Sequence, residues 1–221
     1  ILDQNSIADI TVNDPDFMLA MPPSLTASTG MDALTHAIET IIAPRGYVLT
    51  DTTALKAIEM IFEYLPRAYK NGDDIDTREK MAFATFLSGM AFTNAGLGFV
   101  HAMAHQLGGV YNLPHGVCNA MLLNIVEREN AKYVPDKFVM IAEYLGYDVK
   151  THSAEECVDF IIKKIEYLQD ILNIPRSLKD LGINDPDLEL LAEMAPNDTT
   201  ASNNPYMFTK EEIIAMYKEI L

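Results

Sequence analysis

Cysteine is nearly missing from this chain: Cys118 and Cys157 are the only two in 221 residues. Two are too few for a disulfide framework and fit a reducing cytosol, so a cytoplasmic protein is expected, with each cysteine a small buried hydrophobe. Long apolar runs are missing as well. None reaches the roughly 20 residues needed to span a bilayer, which excludes a membrane-spanning reading. No basic segment followed by an apolar one opens the chain, so no signal peptide is expected. Basic residues are scarce, 16 against 32 acidic ones, for a net charge of −16. That field repels nucleic acid, and no cluster of Lys and Arg offers a local exception. It is equally poor as a surface for a pyrophosphate.

Phosphate-binding motifs are absent. No G-x-G-x-x-G follows a strand, and there is no Walker A sequence. "GLGFVH" at Gly96–His101 and "LGG" at Leu107–Gly109 contain glycine outside any strand–turn–helix context. Those glycines are expected to allow close backbone approach or to end a helix. Strand-like alternation is nearly absent after residue 15, and there is neither an internal repeat nor a low-complexity tract. The opening "ILDQNSIADITVNDPDF" has no initiator methionine, and β-prone "IADITV" runs straight into an "NDPD" turn. These residues read as an extended lead-in to a fragment cut from the middle of a larger protein.

What is present is helical. The chain is 49% hydrophobic, enough for one good core or two small ones. Ser24 to about Ile42 reads as helix, with Gly30 a candidate break and "PRG" at Pro44–Gly46 its end. Asp51 to about Tyr69 repeats apolar residues at Leu55, Ile58, Ile61, Phe62 and Leu65, one buried face. The period resumes from Arg78 to about Phe92 after the exposed turn "NGDDID". "SAEE" at Ser153 and "TKEE" at Thr209 are capping boxes. In "NDPDLELLAEM", Asp185 is expected as N-cap with Pro186 at the first helical position. The expected fold is all-α, one helical domain over residues 1–221.

Chemistry concentrates at two places. In "GMDALTHAIE", Asp32 and His36 stand at i and i+4, on one helix face, where a carboxylate and an imidazole grip one cation. In "HAMAHQLGGVYNLPHG", His101 and His105 repeat that spacing among apolar neighbours. They are expected to enter the interior, where polar groups need partners. His115 follows between Pro114 and Gly116, which hold a tight backbone around it. Asp32, His36, His101, His105 and His115 together predict a three- or four-ligand divalent site, and spacing alone does not choose between His101 and His105. The remaining histidine, His152, is expected to be solvated. Imidazoles with one carboxylate and no thiolate suit Fe²⁺, Zn²⁺ or another divalent transition metal rather than Ca²⁺ or Mg²⁺. With an open position, such a metal is a Lewis acid for an alcohol or carbonyl oxygen. No Ser–His or Cys–His spacing makes a rival nucleophile.

"MPPSLTASTGMDALTHAIE" and "GFVHAMAHQLGGVYNLPHGVCNAMLL" closely resemble the iron-containing (group III) alcohol dehydrogenases. That family takes in lactaldehyde reductases, 1,3-propanediol dehydrogenases and butanol dehydrogenases, and the resemblance spans essentially the whole chain. It implies the C-terminal all-helical, metal-binding domain of a two-domain enzyme whose N-terminal nucleotide-binding domain is not in these residues. The implied metal ligands are Asp32, His36, His101 and His115, with His105 beside the nicotinamide and substrate. Phe92 and Thr200 fall where the family lines its substrate pocket. Phe17, Met18 and Met21 fall where its helical half brushes the cofactor. The implied activity is NAD(P)-dependent interconversion of a small primary alcohol or diol and its aldehyde, with this chain alone inactive. Partners are then the alcohol or aldehyde, the nucleotide-binding domain, and a second copy of the chain as a candidate. A glycerol dehydrogenase-like or dehydroquinate synthase-like domain, or an isolated metal-binding helical module, stands as the alternative.

Overall fold

The computed structural model describes residues 8–221. Residues 1–7, the first part of the expected lead-in, lie outside it; residues 8–14 form no regular structure. Asp14 accepts a hydrogen bond from Asp16 N at 3.0 Å and starts a short 3₁₀ turn, Pro15–Met18, as the "NDPD" sequence leads one to expect. Nine α-helices follow among the described residues, with no strand. They are α1 (Pro23–Ile42), α2 (Val48–Lys70), α3 (Ile75–Ala95), α4 (Phe99–Tyr111) and α5 (His115–Asn130). The second half holds α6 (Pro135–Tyr144), α7 (Ala154–Ile171), α8 (Leu188–Met194) and α9 (Lys210–Lys218).

Helix α1 lies at the centre, packed against α2, α3 and α5. It buries residues on nearly every side, including Met31, Leu34, Ile38 and Ile41. Gly30 does not break it. A Cβ there would fall 2.3 Å from Leu65 Cδ1, so this glycine is the hollow that receives α2. The apolar face of α2 packs as its period predicts: Ile58, Ile61 and Leu65 are fully buried. Arg78 is buried on α3 without a carboxylate partner. Its guanidinium instead donates to Gly72 O, Thr26 Oγ1 and Met21 O at 2.9, 2.8 and 3.1 Å, tying the start of α1 to the α2–α3 turn.

Helix α4 is the second central element. Gly96 (φ +98°) ends α3 and Gly98 precedes α4, as helix-end glycines should. The "LGG" pair, by contrast, lies inside α4; the left-handed residue that ends this helix is Asn112 (φ +53°). The buried Tyr217 of α9 donates its hydroxyl to Met103 O at 2.8 Å and holds α4 from behind. Ser153 and Thr209 cap α7 and α9 through the reciprocal bonds their sequences announce. Helix α8 starts later than "NDPD" suggests. Asp187, not Asp185, is its N-cap and accepts from Leu190 N, because the Asp187 N–H is already committed to Tyr111 Oη at 2.7 Å. Both cysteines are free and buried. No single helix among the described residues is long and apolar enough to cross a membrane.

Candidate metal centre

Helix geometry places each of the gathered side chains. Asp32 and His36 lie one turn apart on α1, His101 in the first turn of α4, and His115 at the first position of α5. One ligand atom from each lies within 4.8 Å of all the others. The Asp32 carboxylate is the hub: its oxygens stand 3.3 Å from His115 Nε2, 3.6 Å from His101 Nε2 and 4.0 Å from His36 Nε2. Gly116 permits this approach of α5 to α1, since a Cβ there would lie 2.6 Å from Ser28 O.

The surroundings fit a cation. His101 is 1% exposed, and its Nε2 has no hydrogen-bond partner. An orphaned imidazole nitrogen facing a carboxylate is costly unless something positive sits between them. Asn119, one turn beyond His115, turns its amide the same way, with Nδ2 2.5 Å from Asp32 Oδ1 and 3.0 Å from His115 Nε2. Its hydrogens meet lone pairs that a metal would take. Three imidazole nitrogens and one carboxylate, with no thiolate, suit a divalent transition metal.

Glu39, which neither motif spacing nor resemblance singled out, fixes His101. It is fully buried on α1, with Oε2 2.5 Å from His101 Nδ1. Its Oε1 accepts from Val100 N at 2.7 Å and His101 N at 3.4 Å, so the carboxylate sits on the N-terminus of α4, where the helix dipole favours negative charge. Seven residues after Asp32 and three after His36, it shares their helix face, a signal that was there to read.

Burial works against charge throughout, and the partners decide the outcome. Burial opposes ionisation of Asp32, but the imidazoles of His101, His115 and His36 gathered round it outweigh it and hold the carboxyl far below its usual range. Burial dominates at His36, taking it down to about 4 against the pull of Asp32. Burial would also lower His101, but the charges of Glu39, which bonds its Nδ1, and of Asp32 outweigh it and push it up to about 9. Behind them Glu127, fully buried on α5, is raised well above the usual carboxyl range by burial, with Glu39 adding to the effect.

His105 lies outside the four-residue cluster. Its Nδ1 is 2.9 Å from Asp198 Oδ2, and its ring lies 5.3 Å from that of His115 at an interplanar angle of 22°. Phe92 stacks on His36 with centroids 4.5 Å apart, and His36 stacks in turn on His101 at 4.7 Å. Thr200 joins through Asp198, to which its hydroxyl donates at 2.7 Å. Phe17 is 86% exposed, and Met18 and Met21 line a groove of 340 Å³ with Thr29, Thr85 and Phe86; none of these belongs to the four-residue cluster. His152 is not simply solvated: it packs on Tyr147 at 4.6 Å, with Nδ1 2.8 Å from Asp148 O.

Comparison with known proteins yields one family. Residues 26–221 match the Fe-containing alcohol dehydrogenase family, C-terminal. Alcohol dehydrogenase 4 of Saccharomyces cerevisiae is 46% identical over 219 residues, 99% of this chain and 56% of that protein. The 1,3-propanediol dehydrogenase of Klebsiella pneumoniae is 43% identical over 219 residues, 99% of this chain and 57% of that protein. Among solved structures, a 1,3-propanediol oxidoreductase superposes with a TM-score of 0.90 at 44% identity, covering 94% of this chain and 55% of that one. The chain thus spans little more than half the length of these relatives.

Proposed function

This chain belongs to the Fe-containing alcohol dehydrogenase family, and on that premise we propose that it is the metal-bearing catalytic portion of an NAD(P)-dependent alcohol dehydrogenase. Its reaction interconverts a small primary alcohol or diol with the corresponding aldehyde. The observation that carries this reading is the buried, unpartnered Nε2 of His101 turned towards Asp32, with His36 and His115 closing the set. Asp32, His36, His101 and His115 hold one divalent metal, Fe²⁺ by family and Zn²⁺ by competition for the same donors. When bound, the metal supplies Lewis acidity to the substrate oxygen and the nicotinamide supplies the hydride acceptor or donor.

The chain's own residues do the rest. Glu39 keeps the His101 proton on Nδ1 and so leaves Nε2 for ligation. Phe92 covers the His36 ring and keeps water from that side. His105, 37% exposed beside His115, takes the alcohol's proton during oxidation and returns it during reduction. Phe17, Met18 and Met21 border the cofactor. The phosphate grip comes from a nucleotide-binding domain of the same protein, since no phosphate-cradling loop occurs in this sequence.

The test is oxidation of short alcohols and diols by the full-length protein, loaded anaerobically with Fe²⁺ or Zn²⁺ and supplied with NAD⁺ or NADP⁺. Turnover that chelation abolishes and metal restores is the expected result. Turnover indifferent to chelation, or none with any such alcohol, contradicts the proposal.

A further inference from the structure

Helix α4 carries two carboxylate–imidazole pairs one turn apart, and only the first belongs to the metal. The second is Asp198 with His105. Asp198 stands in the α8–α9 connection, and that connection grips α4 twice: Asn204 Oδ1 accepts from Phe99 N at 3.1 Å, and Asp198 Oδ2 lies 2.9 Å from His105 Nδ1. Asp198 is itself held. Its Oδ1 accepts from Thr200 N at 2.9 Å and from Thr200 Oγ1 at 2.7 Å. Partial burial opposes ionisation of Asp198, but the Thr200 donors and His105 outweigh it and keep the carboxyl below its usual range. An ionised carboxylate only accepts hydrogen bonds, so the neutral imidazole must carry its proton on Nδ1. The other nitrogen, Nε2, is left as the proton acceptor, and no other described residue bonds to it.

We infer that Asp198, braced by Thr200, is a positioning residue that sets the tautomer of His105 and makes its Nε2 the proton acceptor for alcohol oxidation. This inference rests on the proposed dehydrogenase reading for its consequence, though not for its geometry. In the oxidation the alcohol loses two hydrogens: a bound nicotinamide would accept the hydride from carbon, and the hydroxyl proton goes to His105 Nε2. The resulting imidazolium keeps its Nδ1–H on Asp198, whose charge offsets it. The same arrangement gives Thr200 a second duty besides any contact with substrate. With Oδ1 held by two donors, the Asp198 carboxylate is fixed with Oδ2 towards His105 Nδ1.

Asp198→Asn turns that logic around. The Thr200 N–H requires an acceptor, so the amide oxygen stays with Thr200 and the amide NH₂ faces His105. Nδ1 must then accept, and the proton moves to Nε2, where it blocks proton uptake. The experiment uses the full-length protein loaded with diamagnetic Zn²⁺ and labelled in its histidine nitrogens. His105 resonances are assigned with His105→Ala, and spectra are taken at alkaline pH. Expected is Nδ1–H in the wild type and Nε2–H in Asp198→Asn, with full metal content and kcat for oxidation lower by roughly a hundredfold at little change in KM. Asp198→Ala, which offers neither donor nor acceptor, serves where Asn disturbs folding and is expected to give both tautomers and an intermediate kcat. Wild-type His105 protonated on Nε2, or a tautomer unmoved in both variants, overturns the inference. So does a swapped tautomer with unchanged kcat. A tautomer that swaps in a protein oxidising no alcohol leaves the pairing standing and fells the dehydrogenase reading instead.

Discussion

Glu39 and His101 form a fully buried pair, Oε2 to Nδ1 at 2.5 Å, in which a carboxylate caps the helix whose histidine it orients. The other carboxylate oxygen is occupied by the N–H groups of Val100 and His101. In Glu39→Gln those N–H groups keep the amide oxygen, so the amide NH₂ faces His101 and drives the ring proton onto Nε2, the atom meant for the metal. The expected loss is about 10–100-fold in metal affinity. Titration with a competing chelator measures it; an unchanged affinity shows that Glu39 does not govern the ligand.

Metal binding should release a proton from His101. Pushed up to about 9 in the metal-free protein, this imidazole is charged at neutral pH, and ligation through Nε2 must displace one of its protons. The sign follows: affinity rises with pH by about tenfold per unit from this group and levels off above about 9. His36, down at about 4, has no proton to give at neutral pH. Calorimetry in buffers of different ionisation enthalpy counts the protons. Uptake on binding, or an affinity that falls between neutral pH and 9, contradicts the scheme.

Two glycines of the second motif are expected to respond oppositely to alanine. At Gly116 a Cβ meets Ser28 O at 2.6 Å, backbone that cannot swing aside, so Gly116→Ala should cost about 1–3 kcal/mol and weaken metal binding by displacing His115. At Gly109, inside α4, a Cβ meets nothing within 4 Å, and Gly109→Ala should stabilise by about 0.5–1 kcal/mol. Urea unfolding of the two variants checks both signs.

Local physics explains what was legible in the sequence. The i, i+4 spacing of Asp32–His36 and of His101–His105 marks helix faces, and the capping boxes at Ser153 and Thr209 mark starts, because each is written within one turn. Spacing could not separate His101 from His105, since a face shared along one helix says nothing of what lies opposite. That depends on Glu39, which is near in sequence to Asp32, and on Asp198, 93 residues beyond His105. Gly30 misled because a small residue in a helix reads locally as weakness, whereas its meaning comes from Leu65. Asp187 displaced Asp185 as N-cap for a similar reason, a hydrogen bond from its own N–H to Tyr111 Oη that no local pattern contains.

On the proposed function four side chains on three helices hold one metal while His105, a turn of about 6 Å along α4 from His101, serves it without binding it. Metal content of His101→Ala, His115→Ala and His105→Ala, measured by native mass spectrometry on full-length protein prepared identically, tests it most directly. Expected are one divalent metal per wild-type chain, near-full occupancy in His105→Ala, and loss of most metal in the other two. An empty site in His105→Ala beside a full one in His101→Ala, or well over one tightly held metal per wild-type chain, would contradict it.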